Sequence, residues 1–190
     1  ASVITNSIFS ANTSTGTGGG GLFYNGTATA SITNCVITGN TAANGGGFYF
    51  SLASGIKVNN CTIAANLVTG NGGGTYFTGI AATAPQINNS IIFGNKAGVT
   101  INNIFVVGGA TSPTVSYTDV EGGFAGTNNI STDPLFTSPS TAAAAPTIAG
   151  DYSLQICSPA INEGNNTLIP GGVTDDVLGN PRIALGNVDM

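Results

Sequence analysis

Short apolar runs that alternate with polar residues, each closed by Gly or Asn, recur along residues 1–120. They are Asn6-Ser7-Ile8-Phe9-Ser10-Ala11-Asn12, Asn34-Cys35-Val36-Ile37-Thr38-Gly39-Asn40, Asn60-Cys61-Thr62-Ile63-Ala64-Ala65-Asn66 and Asn89-Ser90-Ile91-Ile92-Phe93-Gly94-Asn95. The shared form is Asn-small-x-apolar-x-small-Asn, with periods of 28, 26 and 29 residues. A second element keeps step with it: Gly19-Gly20-Gly21-Leu22-Phe23-Tyr24, Gly45-Gly46-Gly47-Phe48-Tyr49-Phe50 and Gly72-Gly73-Gly74-Thr75-Tyr76-Phe77. The fourth block lacks the triplet.

Alternation over runs this short predicts strands, and three successive glycines would cost a helix roughly 1 kcal/mol each. Short β-branched or aromatic strands bounded by turn residues, repeating every 26–29 residues, form one turn of a parallel β-solenoid in which successive rungs pair about 4.8 Å apart. Four rungs are predicted, at about 1–30, 31–55, 56–84 and 85–112. A degenerate fifth runs through Ser116-Tyr117-Thr118-Asp119-Val120. The whole chain reads as one all-β domain, with rungs over 1–120 and an irregular acidic segment over 121–190 that packs along the solenoid or caps it. Within that segment, Thr137–Pro146 is low in complexity and reads as an exposed loop.

Columns follow from the register. Asn6, Asn34, Asn60 and Asn89 are expected at sharp left-handed bends, which Asn tolerates, with each amide bonded to the amide of the next rung. The following position (Ser7, Cys35, Cys61, Ser90) is uniformly small, and Phe9, Ile37, Ile63 and Ile92 should point inward. The two cysteines read as stacked core thiols rather than a redox pair, and the three Cys of the chain match no zinc or disulfide spacing. By strand alternation Leu22/Phe48/Thr75 and Tyr24/Phe50/Phe77 share one face, leaving Phe23, Tyr49 and Tyr76 as a ring column on the other. If the first two columns fill the core, the third is an exposed ladder suited to sugars or a protein partner.

Composition narrows the chemistry. The 190 residues include 29 Gly, no His, no Trp, three basic and eight acidic side chains. No His-dependent nucleophile pair or imidazole metal site can form, and three cations cannot neutralise a nucleic-acid backbone, so no nucleic-acid partner is expected. Residues 1–110 hold Lys57 and Lys96 but no carboxylate, so they supply neither a glycosidase acid pair nor an acidic calcium cluster. The acids begin at Asp119. Asp119 and Glu121 could share a strand face but have no basic partner nearby, while Asp175-Asp176 with Asp189 or Asp151 make a calcium site conceivable against solvated turn carboxylates. No cofactor is otherwise implied. No apolar run is long enough to span a bilayer, and the start at Ala1 reads as a processed or excised boundary.

The glycine-aromatic element and the strand ending Phe/Ile-x-x-Asn resemble the GGA/I and FxxN repeats of polymorphic outer-membrane autotransporter proteins. They are equally similar to secreted bacterial right-handed parallel β-helix proteins of the pectin-lyase-like superfamily, over about residues 1–120. Asp133-Pro134-Leu135-Phe136, Asp151-Tyr152-Ser153-Leu154, Ser158-Pro159-Ala160-Ile161, Gly179-Asn180-Pro181-Arg182 and Val188-Asp189-Met190 look like the terminal region of anchored bacterial surface β-helix proteins. The resemblance implies a right-handed, single-stranded parallel β-helix, a secreted or cell-surface bacterial location and an adhesive role; it implies little about chemistry.

The expected function is a non-catalytic extracellular module, adhesin-like or carbohydrate-contacting, with polysaccharide or a host or neighbouring surface protein as partner. One alternative is a fragment of a polysaccharide lyase or hydrolase, its cleft assembled from the tail acids and Arg182. Another is ice binding, against which the column Ser10, Thr38, Ala64, Phe93 is not a regular Thr array. Exposed backbone on the first rung, near Val3 and Ile4, predicts end-to-end self-association in the absence of earlier rungs.

Overall fold

A computed structural model describes residues 2–184 and 186–190; Ala1, where the expected processed boundary falls, lies outside the described residues. Strands stack in parallel into a solenoid of about four turns with three main faces. The first face orders Ser2–Thr5, Ala30–Thr33, Lys57–Asn59, Gln86–Asn88, Thr114–Ser116 and Gly126–Thr127. The second orders Ile8–Ser10, Val36–Thr38, Thr62–Ala64, Ile91–Phe93 and Asp119–Val120, and the third Leu22–Asn25, Phe48–Ser51, Thr75–Thr78 and Ile104–Val106. Between the second and third lies a short face of Thr41–Ala42, Leu67–Val68 and Lys96–Ala97, closed by antiparallel Thr100–Ile101. Pairing runs beyond residue 120, through Gly126–Thr127 and a bridge from Asp119 to Ile130.

The corner between the first two faces has a repeated chemical solution. Asn6, Asn34, Asn60 and Asn89 adopt φ of 49°, 60°, 52° and 46°, and Tyr117 takes the same bend in the fifth rung at 51°. Immediately after the bend, the small side chain donates to the carbonyl two residues back: Ser7 Oγ to Thr5 at 2.8 Å, Cys35 Sγ to Thr33 at 3.3 Å, Cys61 Sγ to Asn59 at 3.2 Å, Ser90 Oγ to Asn88 at 2.7 Å and Thr118 Oγ1 to Ser116 at 2.9 Å. The position therefore needs a short donor as well as a small volume, which is why Ser, Cys and Thr alternate there.

The inter-rung amide ladder expected for the bend asparagines is made elsewhere. In that column only Asn34 Nδ2 reaches a neighbour, Asn6 Oδ1 at 2.6 Å. Asn60 has no hydrogen-bond partner on either amide atom. Six residues on, the closing Asn of each block forms a continuous ladder: Asn12 to Asn40 Oδ1 at 2.9 Å, Asn40 to Asn66 at 2.9 Å, Asn66 to Asn95 at 2.8 Å and Asn95 to Asn103 at 2.8 Å. Each Oδ1 also accepts the backbone N–H of the preceding rung's Asn, so these amides satisfy the corner as well as each other.

Inward-facing Ile32, Ile37, Phe48, Phe50, Ile56, Val58, Ile63, Ile87 and Ile92 fill the barrel and are 0–2% exposed. The glycine triplets let a corner pass close to the next rung. A Cβ at Gly46 would lie 2.5 Å from Gly73 O, and one at Gly47 2.5 Å from Gly74 O.

From about residue 134 the chain turns back along the outside of the second face. Phe136–Ser138 pairs antiparallel with Asp151–Leu154, and Phe136, Ala160 and Met190 pack on Ala64 and Ile91, forming a second apolar cluster outside the barrel. Thr147 N–H donates to Gly39 O at 3.0 Å, Asn165 N–H to Asn89 Oδ1 at 2.8 Å, and Arg182 Nη1 to Asn34 Oδ1 at 3.2 Å, tying the segment to rungs two and four.

Candidate functional site

The third face carries two aromatic columns with opposite fates. Phe48, Phe50 and Phe77 are buried, with Phe50 and Phe77 centroids 5.1 Å apart. Phe23, Tyr49 and Tyr76 point outward in register with one another and with Phe105 of the next strand. Their rings form an unbroken outer series, with centroids 5.2 Å apart between Phe23 and Tyr49, 4.7 Å between Tyr49 and Tyr76, and 5.5 Å between Tyr76 and Phe105. Interplanar angles fall from 41° to 27° to 15° along that series, so the rings become more nearly parallel toward Phe105. Phe23 is 51% exposed and the other three are half-buried.

The local sequence sets the rings in this position. The register of parallel strands places residues one rung apart directly over each other, and Gly45 and Gly72, at φ of 63° and 68°, leave room where a Cβ would lie 2.8 Å from the Tyr49 or Tyr76 Cβ. Desolvation, with Tyr76 beside it, raises the Tyr49 phenol above its ordinary value. The hydroxyl therefore stays protonated and available as a donor at neutral pH. Phe105 was not evident in the sequence because Asn102-Asn103 stands where the glycine triplet would have announced its block. The compensation is that Asn103 ends the buried amide ladder, and Asn102 Oδ1 accepts Gly72 N–H at 2.6 Å.

The tail acids lie along a separate cleft of about 500 Å³ between the second face and the C-terminal segment, which Asp151, Asp176, Asp189 and Arg182 all line. Asp176 is engaged as an acceptor by Leu178 N–H, Asn180 N–H and Asn180 Nδ2, and these bonds hold its carboxyl below the usual range against partial burial. Asp151 accepts from Ser153 and is likewise lowered. Asp189 Oδ1 accepts Asn162 N–H at 2.8 Å, and Asp175 gives its backbone carbonyl to Asn34 Nδ2. Among the described residues no group of three His, Cys, Asp or Glu side chains converges.

Asp119 and Glu121 flank the last rung. Asp119 is fully buried and its pKa is pushed up to about 6, chiefly by burial and then by neighbouring Asp133 and Glu121. It lies outside the cleft, and among the described residues its carboxylate accepts only Thr132 N–H, at 3.3 Å. Glu121 Oε2 accepts Gly94 N–H at 2.7 Å, a corner contact. The column considered for ice binding is not an open face, since Thr38 and Ala64 are 4% and 2% exposed on the side the C-terminal segment covers. Lys57 is exposed and Lys96 half-buried, on different faces.

The model of one protein family, described as right handed beta helix region, matches residues 1–134. No curated protein and no solved structure matches the chain.

Proposed function

The chain belongs to the right-handed β-helix family, and we propose that it is a non-catalytic module that contacts carbohydrate through the outer ring series Phe23, Tyr49, Tyr76 and Phe105. The observation that carries this reading is the continuous series of four outward rings, tilted at Phe23–Tyr49 and stacked from Tyr49 to Phe105, at 4.7–5.5 Å spacing along the solenoid axis. Such a strip offers apolar faces to the C–H faces of an extended sugar chain, and the Tyr hydroxyls add donors at its edge. A partly exposed aromatic strip of this kind supports an interaction surface over a packing element. We place the module in an adhesin-like setting, secreted or on a bacterial cell surface, which its low charge and rigid stacked form suit. Among the described residues no helix is long and apolar enough to cross a membrane.

Binding is favoured over hydrolysis by the state of the tail acids. A glycoside hydrolase needs one carboxyl held protonated near neutral pH beside a second that is ionised. In the cleft Asp151 and Asp176 are both shifted toward the ionised form, and the carboxyl that is shifted upward, Asp119, lies elsewhere.

A glycan array comparing the parent protein with a Tyr49→Ala, Tyr76→Ala double variant tests the reading. Retained binding to the same glycans by a folded variant removes the ring series from the site. Time-dependent cleavage of pectin, alginate or another glycan by the parent overturns the non-catalytic assignment.

A further inference from the structure

The bend asparagines are treated unequally by the C-terminal segment. On the rung before Asn60, Asn34 gives Nδ2 to Asn6 Oδ1 and Asp175 O and takes Arg182 Nη1 on its Oδ1. On the rung after, Asn89 gives Nδ2 to Asn165 O and takes Asn165 N–H on its Oδ1. The segment thus docks on both flanking rungs and passes over Asn60. That residue is 6% exposed, with neither Nδ2 nor Oδ1 hydrogen-bonded, although it lines the 500 Å³ cleft. A buried amide with no partner has lost the hydrogen bonds that water would supply, so the site is built as though something else completes it.

The surrounding groups define what that is. Arg182 Nε is also buried without a partner, while its guanidinium is fixed by Asn34. The apolar part of the walls includes Val36, Ile91, Leu154 and the ring of Tyr152, which is held edge-on to Phe136 at 5.3 Å and whose hydroxyl is buried without a partner. Three carboxylates and one guanidinium line the cleft, so its field disfavours an anion. The volume falls in the range of about 300–1,000 Å³ usual for small-ligand sites. An Asn side chain presents one donor and one acceptor side by side. Two neighbouring hydroxyls on a ring complement that edge, one accepting and the other donating, while the C–H face of the ring meets the apolar wall.

We propose that the cleft between the second face and the C-terminal segment is a second binding subsite, for a neutral ring bearing vicinal hydroxyls such as a hexose unit, with Asn60 and Arg182, whose unpartnered amide and Nε atoms are closed from water here and turn toward the ligand on binding, as its polar contacts. It shares its ligand class with the carbohydrate reading above but none of its residues. Asn60 lies on the second face and the rings on the third, so a branched or chain-end sugar unit could occupy the cleft while an extended chain lies on the rings.

The test is titration of the full ¹⁵N-labelled chain with D-galactose and D-glucose, read at the Asn60 side-chain amide and at the backbone amides of Cys61 and Thr62. A saturable shift with an apparent Kd on the order of 1–10 mM is expected for at least one sugar. Asn60→Gly, which keeps the left-handed bend, should weaken the response at Cys61 and Thr62 by at least about tenfold, as should Asn60→Asp, which keeps the shape but removes the donor. The Tyr49→Ala, Tyr76→Ala variant should titrate as the parent does. The proposal is overturned by no saturable shift with either sugar up to about 100 mM, which would leave water as the only occupant. It is equally overturned by an unchanged response in a folded Asn60→Gly variant, or by cyclohexanol shifting the same resonances as strongly. Because the array reads the rings and the titration reads Asn60, loss of one result leaves the other standing.

Discussion

Asn66 Nδ2 donates to Asn95 Oδ1 at 2.8 Å, and the Asn66 backbone N–H donates to the same oxygen at 3.0 Å. Asn66 in turn accepts the side chain and backbone N–H of Asn40, each at 2.9 Å, and bonds the carbonyl of Ile37 at 3.0 Å. One amide thus joins three rungs in a site with no access to water. Truncation leaves the Asn40 N–H unpaired in the interior, so Asn66→Ala should destabilise by about 2–4 kcal/mol and lower Tm by roughly 5–12 °C. Asn60, equally an Asn and nearly as buried, has no such partners; Asn60→Gly breaks no hydrogen bond and removes two unpaired buried groups, so it should cost less than about 1 kcal/mol or stabilise. Thermal denaturation of both variants checks the contrast, and equal losses would contradict the assignment of the ladder to the closing asparagines.

The glycine triplets make a similarly local prediction. A Cβ at Gly47 would lie 2.5 Å from Gly74 O and 2.8 Å from Ile63 Cγ2, both parts of the stacked interior. Gly47→Ala should therefore cost about 3 kcal/mol or more, because rungs two and three must separate. Gly108 has nothing within 4 Å of its hypothetical Cβ and no left-handed φ, so Gly108→Ala should be neutral or stabilise by up to about 1 kcal/mol. Urea midpoints of the two variants measure the difference.

The residues that were legible in the sequence share one property: their environment repeats. Asn at the bend, a small residue after it and the alternating Phe48-Tyr49-Phe50 can be read because stacking puts like over like. The ladder residues Asn40, Asn66 and Asn95 stand in the same written motif, but spacing alone does not tell which of two asparagines turns its amide inward. Packing or capping by the acidic segment was expected, but which rungs residues 134–190 dock on was not legible. Its ties, such as Arg182 to Asn34, span 148 positions and use one-off loops without periodicity. Asn60 stands out only once those ties show which amides have been taken.

The cysteines give a prediction about access. Cys35 and Cys61 are buried, each donating Sγ to a carbonyl two residues back; burial pushes the Cys61 thiol well up, and Cys35, lowered by its bond with the Cys61 thiol, is shielded by burial alone. Cys157 is exposed. A thiolate-selective reagent should therefore modify one thiol per native chain and three after denaturation. Fast modification of a second thiol in the native protein would mean that the C-terminal segment does not stay closed over the second face.

Asp119 sets the pH dependence at the far end of the solenoid. Its carboxyl is fully buried with Oδ2 unpartnered, and burial, with Asp133 and Glu121 adding repulsion, raises its pKa from 3.8 to about 6. The folded chain therefore holds this proton more tightly than the unfolded chain does. The unfolded chain releases it near its ordinary value, so between about pH 4 and pH 6 the unfolded state is favoured progressively, and above pH 6 the loss is complete. The full span corresponds to roughly 2–3 kcal/mol at most. Asp151 and Asp176, whose pKa values are lowered, act in the opposite sense at acid pH, so the raw stability profile mixes the two. Asp119→Asn isolates the contribution of this carboxyl. Below about pH 4 the variant and parent should unfold at similar temperatures, and the variant should gain steadily on the parent up to pH 6 and hold its advantage at neutral pH. A difference in Tm that stays constant from pH 4 to pH 7 would show that Asp119 does not titrate in this window and that its carboxylate finds compensation at the end of the last rung.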